Sequence, residues 1–167
     1  MSLNIRKSVT TLPAYEYAGA RSLVLLHEQE LKNFLQTWLR AKASAVLLPE
    51  TDDPAYVSLD AILAHVFFSA RRYMVWMCES LEVSDPGIRR APSVQEVESK
   101  AEEYLAHLVE QWKGPLSDIE EKRFYIPEYP APWKVRYCID AMLEHAVMHP
   151  FRHAFQLESL LRNHKEL

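Results

Sequence analysis

Three histidines recur at every fourth residue near the C-terminal end of this 167-residue chain. His145, His149 and His153 are followed by Gln156, and on an α-helix this spacing places all four side chains along one stripe. A stripe of neutral imidazoles that faces a helical core is costly unless each ring finds a partner. A bound metal ion is the one partner that would account for all three rings, and a purely structural stripe is the alternative.

A metal site needs ligands from more than one helix. Two histidines four residues apart can bind one ion, as in the HExxH metalloproteases, and catalytic zinc-type sites usually take three protein ligands. His65 is the best candidate for the third ligand, because it is the only polar residue in the apolar run 61–68. By contrast, His27, His107 and His164 lie among charged neighbours, and we predict that they face solvent.

Helix geometry favours one ligand set over another. His149 and His153 lie one turn apart, so a single ion can reach both, and His65 can meet them across a bundle. His145 lies about 12 Å from His153 along the axis, too far to share an ion when each metal–nitrogen bond is about 2 Å. A rival set built on His145 and His149 remains open, although it leaves His153 without a partner. Three imidazoles without a carboxylate favour Zn²⁺ or Ni²⁺ over Fe or Mn.

Composition limits the classes of protein to consider. Glycine is scarce, at 3 residues, which argues for long helices and against a turn-rich all-β fold. The net charge of −4 gives no electrostatic footprint for nucleic acid. Cys78 and Cys138 have no motif spacing and are predicted to be buried free thiols. No secretory signal or membrane span is evident, so we expect a cytoplasmic protein that acts on a small molecule, without a nucleic acid or membrane partner.

Apolar periodicity predicts four amphipathic helices in a single domain over residues 1–167. With one long crossover connection, at 115–132, they fit an all-α four-helix bundle. The connection is predicted to hold one helical turn at 118–122 and to cover the mouth of the site. Pro150 should kink the last helix. The predicted helices run from Tyr17 to about Leu47, from an N-cap at Ser58 to about Glu82, from a capping box at Ser93 to a stop at Gly114, and from near Trp133 to about Asn163.

The order of these histidines resembles the DinB/YfiT-like metalloenzymes. A histidine early in the second helix is followed in the last helix by H-x3-H-x3-H-x2-Q, and the family's bundles typically carry H-x3-H-x3-H-R-G-Q there. The resemblance implies that His65, His149 and His153 are the metal ligands. It places Gln156 at the motif's glutamine and His145 at an upstream histidine that is not normally a ligand.

The resemblance also implies a function. Characterised members include metal-dependent thiol transferases, in which the metal ionises a low-molecular-weight thiol that then attacks an electrophile. Ala154 and Phe155 replace the family's Arg-Gly, so any inherited substrate preference should differ. The alternatives are a non-catalytic, metal-stabilised bundle or interaction protein and a metal-dependent hydrolase, which would lack the HExxH glutamate because Pro150 stands there. Related bundles commonly pair, and the 4 Trp and 8 Tyr also favour a homodimer.

Several other side chains have candidate roles near such a site. Gln156 is predicted either to orient a water on the metal or to hydrogen-bond behind a ligand, with an ordinary surface amide as the alternative. His145 is expected to be a proton shuttle at the rim or to face solvent. Trp76, Trp112 and Trp133 are expected in the core or at an interface, and any of them could wall a pocket.

Overall fold

The structure is a computed structural model, and it describes residues 12–164, with His164 described by its backbone alone. Over this range the chain is mostly helical, in agreement with the all-α prediction. Four long helices are joined by connections, one of which holds a short helix and a two-stranded antiparallel sheet. The elements are α1 (Ala18–Ala43), α2 (Leu59–Leu81), α3 (Val97–Trp112), α4 (Lys122–Tyr125), β1 (Tyr129–Pro130), β2 (Arg136–Tyr137) and α5 (Ile139–His164).

The long helices pack around one apolar core. The contact between α1 and α5 is the most extensive, and α2 packs against α5, α3 and α1. Apolar side chains recur at helical spacing on each inward face, and their burial drives the packing. The largest fully buried side chains are Trp38, Trp112, Phe34, Phe67, Phe124, Leu31, Leu63 and Met74.

Helix α1 ends four residues earlier than predicted. Ala45 adopts the left-handed conformation, with φ 49°. The backbone N–H of Val46 then bonds to the carbonyl of Ala41, and that of Ala45 bonds to Lys42, which is the Schellman arrangement. Val46 is buried beside this turn. The helix therefore stops at Ala43 and not near Leu47, because the chain reverses to bury Val46.

Helix α2 has the limits that the sequence predicts. The Ser58 hydroxyl accepts a hydrogen bond from the Ala61 N–H at 3.0 Å, as expected of an N-cap. At the other end Glu82 is left-handed, with φ 55°, and the Val83 N–H bonds to the carbonyl of Cys78. These two ends fix the helix that carries His65.

The capping box predicted for α3 does not form. Ser93 Oγ donates to the Glu96 carboxylate at 2.9 Å and does not cap a backbone N–H. The N–H groups of Glu96 and Val97 instead bond to the Ser93 carbonyl, so a turn precedes the helix and α3 begins only at Val97. The helix ends at Trp112, as the stop at Gly114 predicts.

The connection between α3 and α5 holds more structure than predicted. Its helical turn is α4, which begins at Lys122, the last residue of the predicted 118–122. Strands β1 and β2 pair as a hairpin, and Trp133 lies in the loop between them. The prediction that the last helix starts near Trp133 is therefore wrong, and α5 starts at Ile139. Pro130 and Pro132, which come just before Trp133, favour extended or turn conformations over helix, which explains the late start.

Helix α5 runs through Pro150 to His164. Proline supplies no N–H there, so the carbonyl of Ala146 lacks its usual helical donor. The kink predicted at this point remains a prediction.

Cys78 is buried, Cys138 is partly buried, and both are free thiols. Within residues 12–164, none of the helices combines the length and apolar character needed to cross a membrane.

Candidate metal centre

The structure brings together the three histidines that the sequence analysis selected as ligands. His65 comes from α2, and His149 and His153 come from α5. One nitrogen from each ring can be chosen so that all three atoms lie within 4.8 Å of one another. The Nε2 atoms of His65 and His149 are 3.1 Å apart. We call these three residues the histidine cluster.

The cluster contains buried nitrogens that have no protein partner. His149 and His153 are 5% and 1% exposed, respectively. Gln156 Oε1 lies 3.0 Å from His153 Nδ1, so the amide accepts a hydrogen bond from that nitrogen when it is protonated. His153 Nε2 is then left buried with a free lone pair, and His149 Nδ1 is also buried without a partner among the described residues. An unpaired buried lone pair is costly, so the free Nε2 of His153, in a ring whose Nδ1 already contacts Gln156, points to a ligand.

The protonation state of the cluster also suits a cation. Burial, together with the neighbouring His153 and His65, lowers the pKa of His149 to about 2. Burial likewise lowers the pKa of His153 to about 4 and lowers that of His65. All three rings are therefore neutral near pH 7, which is the form of imidazole that binds metal.

The nitrogen spacing fits a divalent ion. In a tetrahedral zinc site with metal–nitrogen bonds of about 2.0–2.1 Å, neighbouring ligand nitrogens are roughly 3.3 Å apart. The separation between His65 Nε2 and His149 Nε2 is close to this value, at 3.1 Å. Two uncharged Nε2 atoms at that distance need either a proton on one of them or a cation between them. The cluster can therefore hold a metal ion, with three nitrogen donors and room for a further ligand.

Aromatic rings from Tyr56 and Tyr73 pack against the cluster, and neither residue was predicted to lie at the site. The Tyr56 ring centroid lies 5.6 Å from those of both His65 and His153. Tyr73 lies 5.6 Å from His149. Tyr73 follows His65 by eight residues on the same face of α2, so helical spacing could have identified it. Tyr56 lies in the loop before α2, and no pattern in the sequence marks it.

The cluster borders a cavity of about 590 Å³ between α2 and α5, which we call the α2–α5 cavity. One face of α2 lines it, with residues at the helical spacings of i, i+3, i+4, i+7, i+8 and i+11. Pro132 and Trp133 of the hairpin loop line one side, and the prediction that the long connection covers the mouth of the site stays a prediction. The α2 residues are His65, Phe68, Ser69, Arg72, Tyr73 and Trp76, the α5 residues are Met142, His145, His149 and Arg152, and Tyr56, Pro132 and Trp133 complete the lining.

A second cavity of about 380 Å³ touches the cluster at His153. Among the described residues its lining includes Gln156 and Tyr56 but no charged residue, and most of it is apolar, so we call it the apolar cavity. Tyr56 and the histidine cluster thus lie between two spaces of different character. The apolar walls of the apolar cavity are Leu48, Pro49, Ile62, Phe155, Leu157 and Leu160.

His145 lies in the α2–α5 cavity and outside the group of three nitrogens that can share an ion. Its ring stacks on Trp133 with centroids 5.7 Å apart, and Tyr73 packs against it edge-on at 5.3 Å. Burial, and then the charge of Arg152, lower the pKa of His145. His145 is partly buried and lines the cavity, and its role as a proton shuttle remains a prediction.

The remaining histidines correct the sequence analysis. His27 was predicted to face solvent, yet it is 1% exposed, because α1 turns it inward between Val24 and Leu31. His107 is partly buried, and its Nε2 accepts a hydrogen bond from the Arg89 N–H at 3.0 Å. The side chain of His164 falls outside the described part of the chain.

The three tryptophans divide between the predicted locations. Trp112 belongs to the core, and Trp76 is buried with its Nε1–H donating to the Pro130 carbonyl at 3.1 Å. Trp133 is 43% exposed. Trp76 and Trp133 both line the α2–α5 cavity, so two of the three do wall a pocket.

In comparisons with known proteins, no family model matches this chain, and neither a curated protein nor a solved structure is similar to it at a significant level. The site must therefore be interpreted from its own geometry.

Proposed function

We propose that the protein is a divalent-metal-dependent thiol S-transferase whose ion, Zn²⁺ or Ni²⁺, is held by His65, His149 and His153. The observation that carries the proposal is the histidine cluster, with buried unpaired nitrogens and a separate cavity on each side. A divalent ion held by these three neutral imidazoles, with one position left open, would lower the pKa of a thiol bound there, so that the thiol would react as a thiolate near neutral pH.

In the proposed reaction a low-molecular-weight thiol attacks an electrophilic carbon. A sulfur–carbon bond forms while the bond from that carbon to its leaving group breaks, the leaving group takes the bonding pair, and the thiol proton passes to solvent. The protein's residues hold the two reactants and exclude water around them. Tyr56 lines both cavities, so it lies where the thiol and the electrophile would meet.

The two cavities favour transfer over hydrolysis. Transfer requires a site for each of two organic reactants, and the histidine cluster borders two spaces of about 590 and 380 Å³. A hydrolase would need one organic site and a general base for water. No aspartate or glutamate is among the described residues that line either cavity. The hydrolase is therefore the weaker candidate, and its general base would have to be His145.

A non-catalytic, metal-stabilised bundle is the remaining alternative. Structural zinc sites usually close the coordination sphere with four protein ligands. Here the cluster supplies three nitrogens and opens onto cavities large enough for small molecules. This open arrangement favours a reactive centre over a purely structural one.

We also propose that the chain is a DinB/YfiT-like four-helix bundle. The supporting observations are four long helices, one long connection before the last helix, and ligands on the second and last long helices. A single domain, 1–167, accommodates all of them. Gln156 has the position that the family motif gives its glutamine, three residues after the last ligand.

A homodimer forms part of the proposal, although the reason differs from the one drawn from composition. Most of the tryptophans lie inside one chain and do not call for an interface. The outer face of α5 instead exposes Met148, Phe151 and Phe155, which are 54%, 46% and 61% exposed. Light scattering at micromolar concentration should give twice the chain mass, and Phe155→Asp should reduce it. A monomer mass for the unaltered protein would refute the dimer.

The function is tested by conjugation assays on the full chain reloaded with Zn²⁺ or Ni²⁺. Glutathione, cysteine and other cellular thiols are paired with epoxides and haloarenes, and product is detected by mass spectrometry. We expect metal-dependent conjugation that is lost in His149→Ala and retained in His107→Ala, which alters a histidine outside both cavities. Equal rates with metal-free protein would refute the mechanism, and turnover without any thiol would indicate the hydrolase.

A further inference from the structure

Two arginines face the α2–α5 cavity beside the histidine cluster. Arg72 follows His65 by two turns on α2, and Arg152 follows His149 by three residues on α5, so both lie on the helix faces that carry the ligands. Arg152 acts on the whole site, since its charge lowers the pKa of His65, His145 and His149. The cavity is therefore bordered by two permanent positive charges from opposite walls.

No acidic group balances these charges inside the cavity. None of the described residues that line it is an aspartate or glutamate, although the chain as a whole has a net charge of −4. Neither Arg72 nor Arg152 forms an ion pair with another described residue. The carboxylate of Asp53 partly opposes the lowering of the His65 pKa by burial, but Asp53 does not line the cavity. An unbalanced pair of guanidinium groups is a favourable site for an anion.

The rest of the wall suits a flat or apolar body attached to that anion. Trp76, Trp133 and Tyr73 present aromatic surface within the same cavity, and Phe68 is 55% exposed at its edge. Most ligand pockets combine such an apolar wall with a few polar groups that fix orientation. Here the polar groups are the two arginines, one on each helix, and the histidine cluster beside them.

We propose that the α2–α5 cavity binds a substrate through a carboxylate or phosphate group held by Arg72 and Arg152, with its apolar part against the aromatic wall. The inference rests on the proposed function in one respect, because it identifies the anionic molecule as one of the two reactants. The uncharged apolar cavity then receives the other reactant. Arg152 stands two residues before the Ala154-Phe155 pair, so this chain carries its positive charge next to the last ligand.

Binding of simple fluorinated probes tests the proposal without any turnover. The probes are 4-fluorobenzoate, 4-fluorophenyl phosphate and the neutral 4-fluorobenzamide, titrated into the full chain and followed by ¹⁹F NMR. Charge-assisted hydrogen bonds to a guanidinium should make at least one anion bind roughly tenfold more tightly than the amide. The tighter of the two anions identifies the chemical class as carboxylate or phosphate. Equal binding of all three probes would overturn the proposal.

Arginine variants locate the binding. Arg72→Gln and Arg152→Gln should each weaken the preferred anion about tenfold and leave the amide unchanged. Arg90→Gln is the matched control, because Arg90 is exposed and lines neither cavity. Wild-type affinity in the double variant would overturn the proposal. If a variant failed to fold, the comparison of anion with amide in the unaltered chain would still decide it.

The titrations are run on metal-free and on zinc-loaded protein. Anion binding that needs zinc and survives loss of both arginines would mean that the anion ligates the metal, and this would also overturn the proposal. Binding to the metal-free chain is independent of thiol transfer. A failed conjugation assay would therefore leave a positive probe result standing, and the two failures can be told apart.

Discussion

Two groups of buried histidine occupy the same helical core and have opposite surroundings. His149 and His153 converge with His65, keep unpaired nitrogens, and border two cavities. His27 is equally buried, yet it lies alone against Trp112, with ring centroids 3.7 Å apart. Both His27 Nε2 and Trp112 Nε1 lack a hydrogen-bond partner among the described residues.

The difference shows what burial can and cannot indicate. Burial lowers the pKa of His27 to about 3, much as it lowers those of the histidine cluster. A perturbed pKa therefore does not distinguish the two groups. Convergence of several nitrogen atoms beside a cavity does, because one ion can then satisfy what a lone ring in the core cannot.

The largest expected difference between the two groups is their response to metal. A ligand that binds only the folded state stabilises it by about 4 kcal/mol when its free concentration is a thousandfold above the dissociation constant. Zinc should therefore raise the free energy of unfolding of the unaltered protein and of His27→Leu by similar amounts. His149→Ala should lose the increment. Urea titrations with and without zinc measure it, and an increment lost only in His27→Leu would reverse our assignment.

The second difference is the response of the metal-free protein to acid. Because the folded-state pKa of His27 is about 3 and the unfolded value is about 6.5, the unfolded state binds more protons below pH 6.5. The contribution of His27 to stability is thus lost as pH falls through that range. Between pH 7 and pH 5 the loss is about 2 kcal/mol.

His27→Leu should remove this share of the acid sensitivity. The free energy of unfolding of the metal-free variant would then decline less steeply with falling pH than that of the unaltered chain, since only the histidine cluster and the surface groups still titrate. Urea midpoints at pH 7, 6 and 5 give both slopes. Parallel slopes would show that His27 is not buried as a neutral ring.

A third and smaller effect concerns the support behind the cluster. Gln156 accepts from His153 Nδ1, which fixes the ring so that Nε2 faces the other ligands. Loss of such a partner typically costs 10–100-fold in metal affinity, so Gln156→Leu should weaken zinc binding by about that factor while Gln156→Glu should not. Competition with a chromophoric chelator gives the affinities. Gln29→Leu, an exposed change on α1, should leave them unaltered.

The smallest effect supplies a baseline outside both groups. Ser58→Ala removes the hydroxyl that caps α2 and should cost about 1 kcal/mol of stability. The cap carries no titrating group, so the loss should be the same at pH 7 and pH 5 and with or without zinc. Thermal or urea unfolding under the four conditions measures it. A loss that varied with zinc would mean that the α2 N-terminus is coupled to the metal site.

The sequence predicted the ligand cluster because its signal is local. His149 and His153 are four residues apart on one helix, and His65 interrupts an apolar run. His27 also had a local signal that was overlooked. It falls between Val24 and Leu31 at spacings of three and four, which places it on the buried stripe in spite of its charged neighbours.

Other features depend on contacts between distant parts of the chain and could not be predicted in this way. Tyr56 reaches the cluster only because the loop before α2 packs beside α5. Trp133 was assigned to a helix, since the two-residue strands on either side of it are too short to give an alternating pattern. The end of α1 was misplaced because Ala45 adopts a left-handed conformation that non-glycine residues seldom adopt.

The central claim is that one divalent ion binds to His65, His149 and His153. Its most direct test is elemental analysis of untagged protein and of five single variants, in which each of these residues, His145 and His27 is replaced by alanine. The account predicts about one equivalent of metal in the unaltered chain, His145→Ala and His27→Ala, and a large loss in the other three. Full occupancy in His65→Ala, or loss in His145→Ala with retention in His153→Ala, would contradict it.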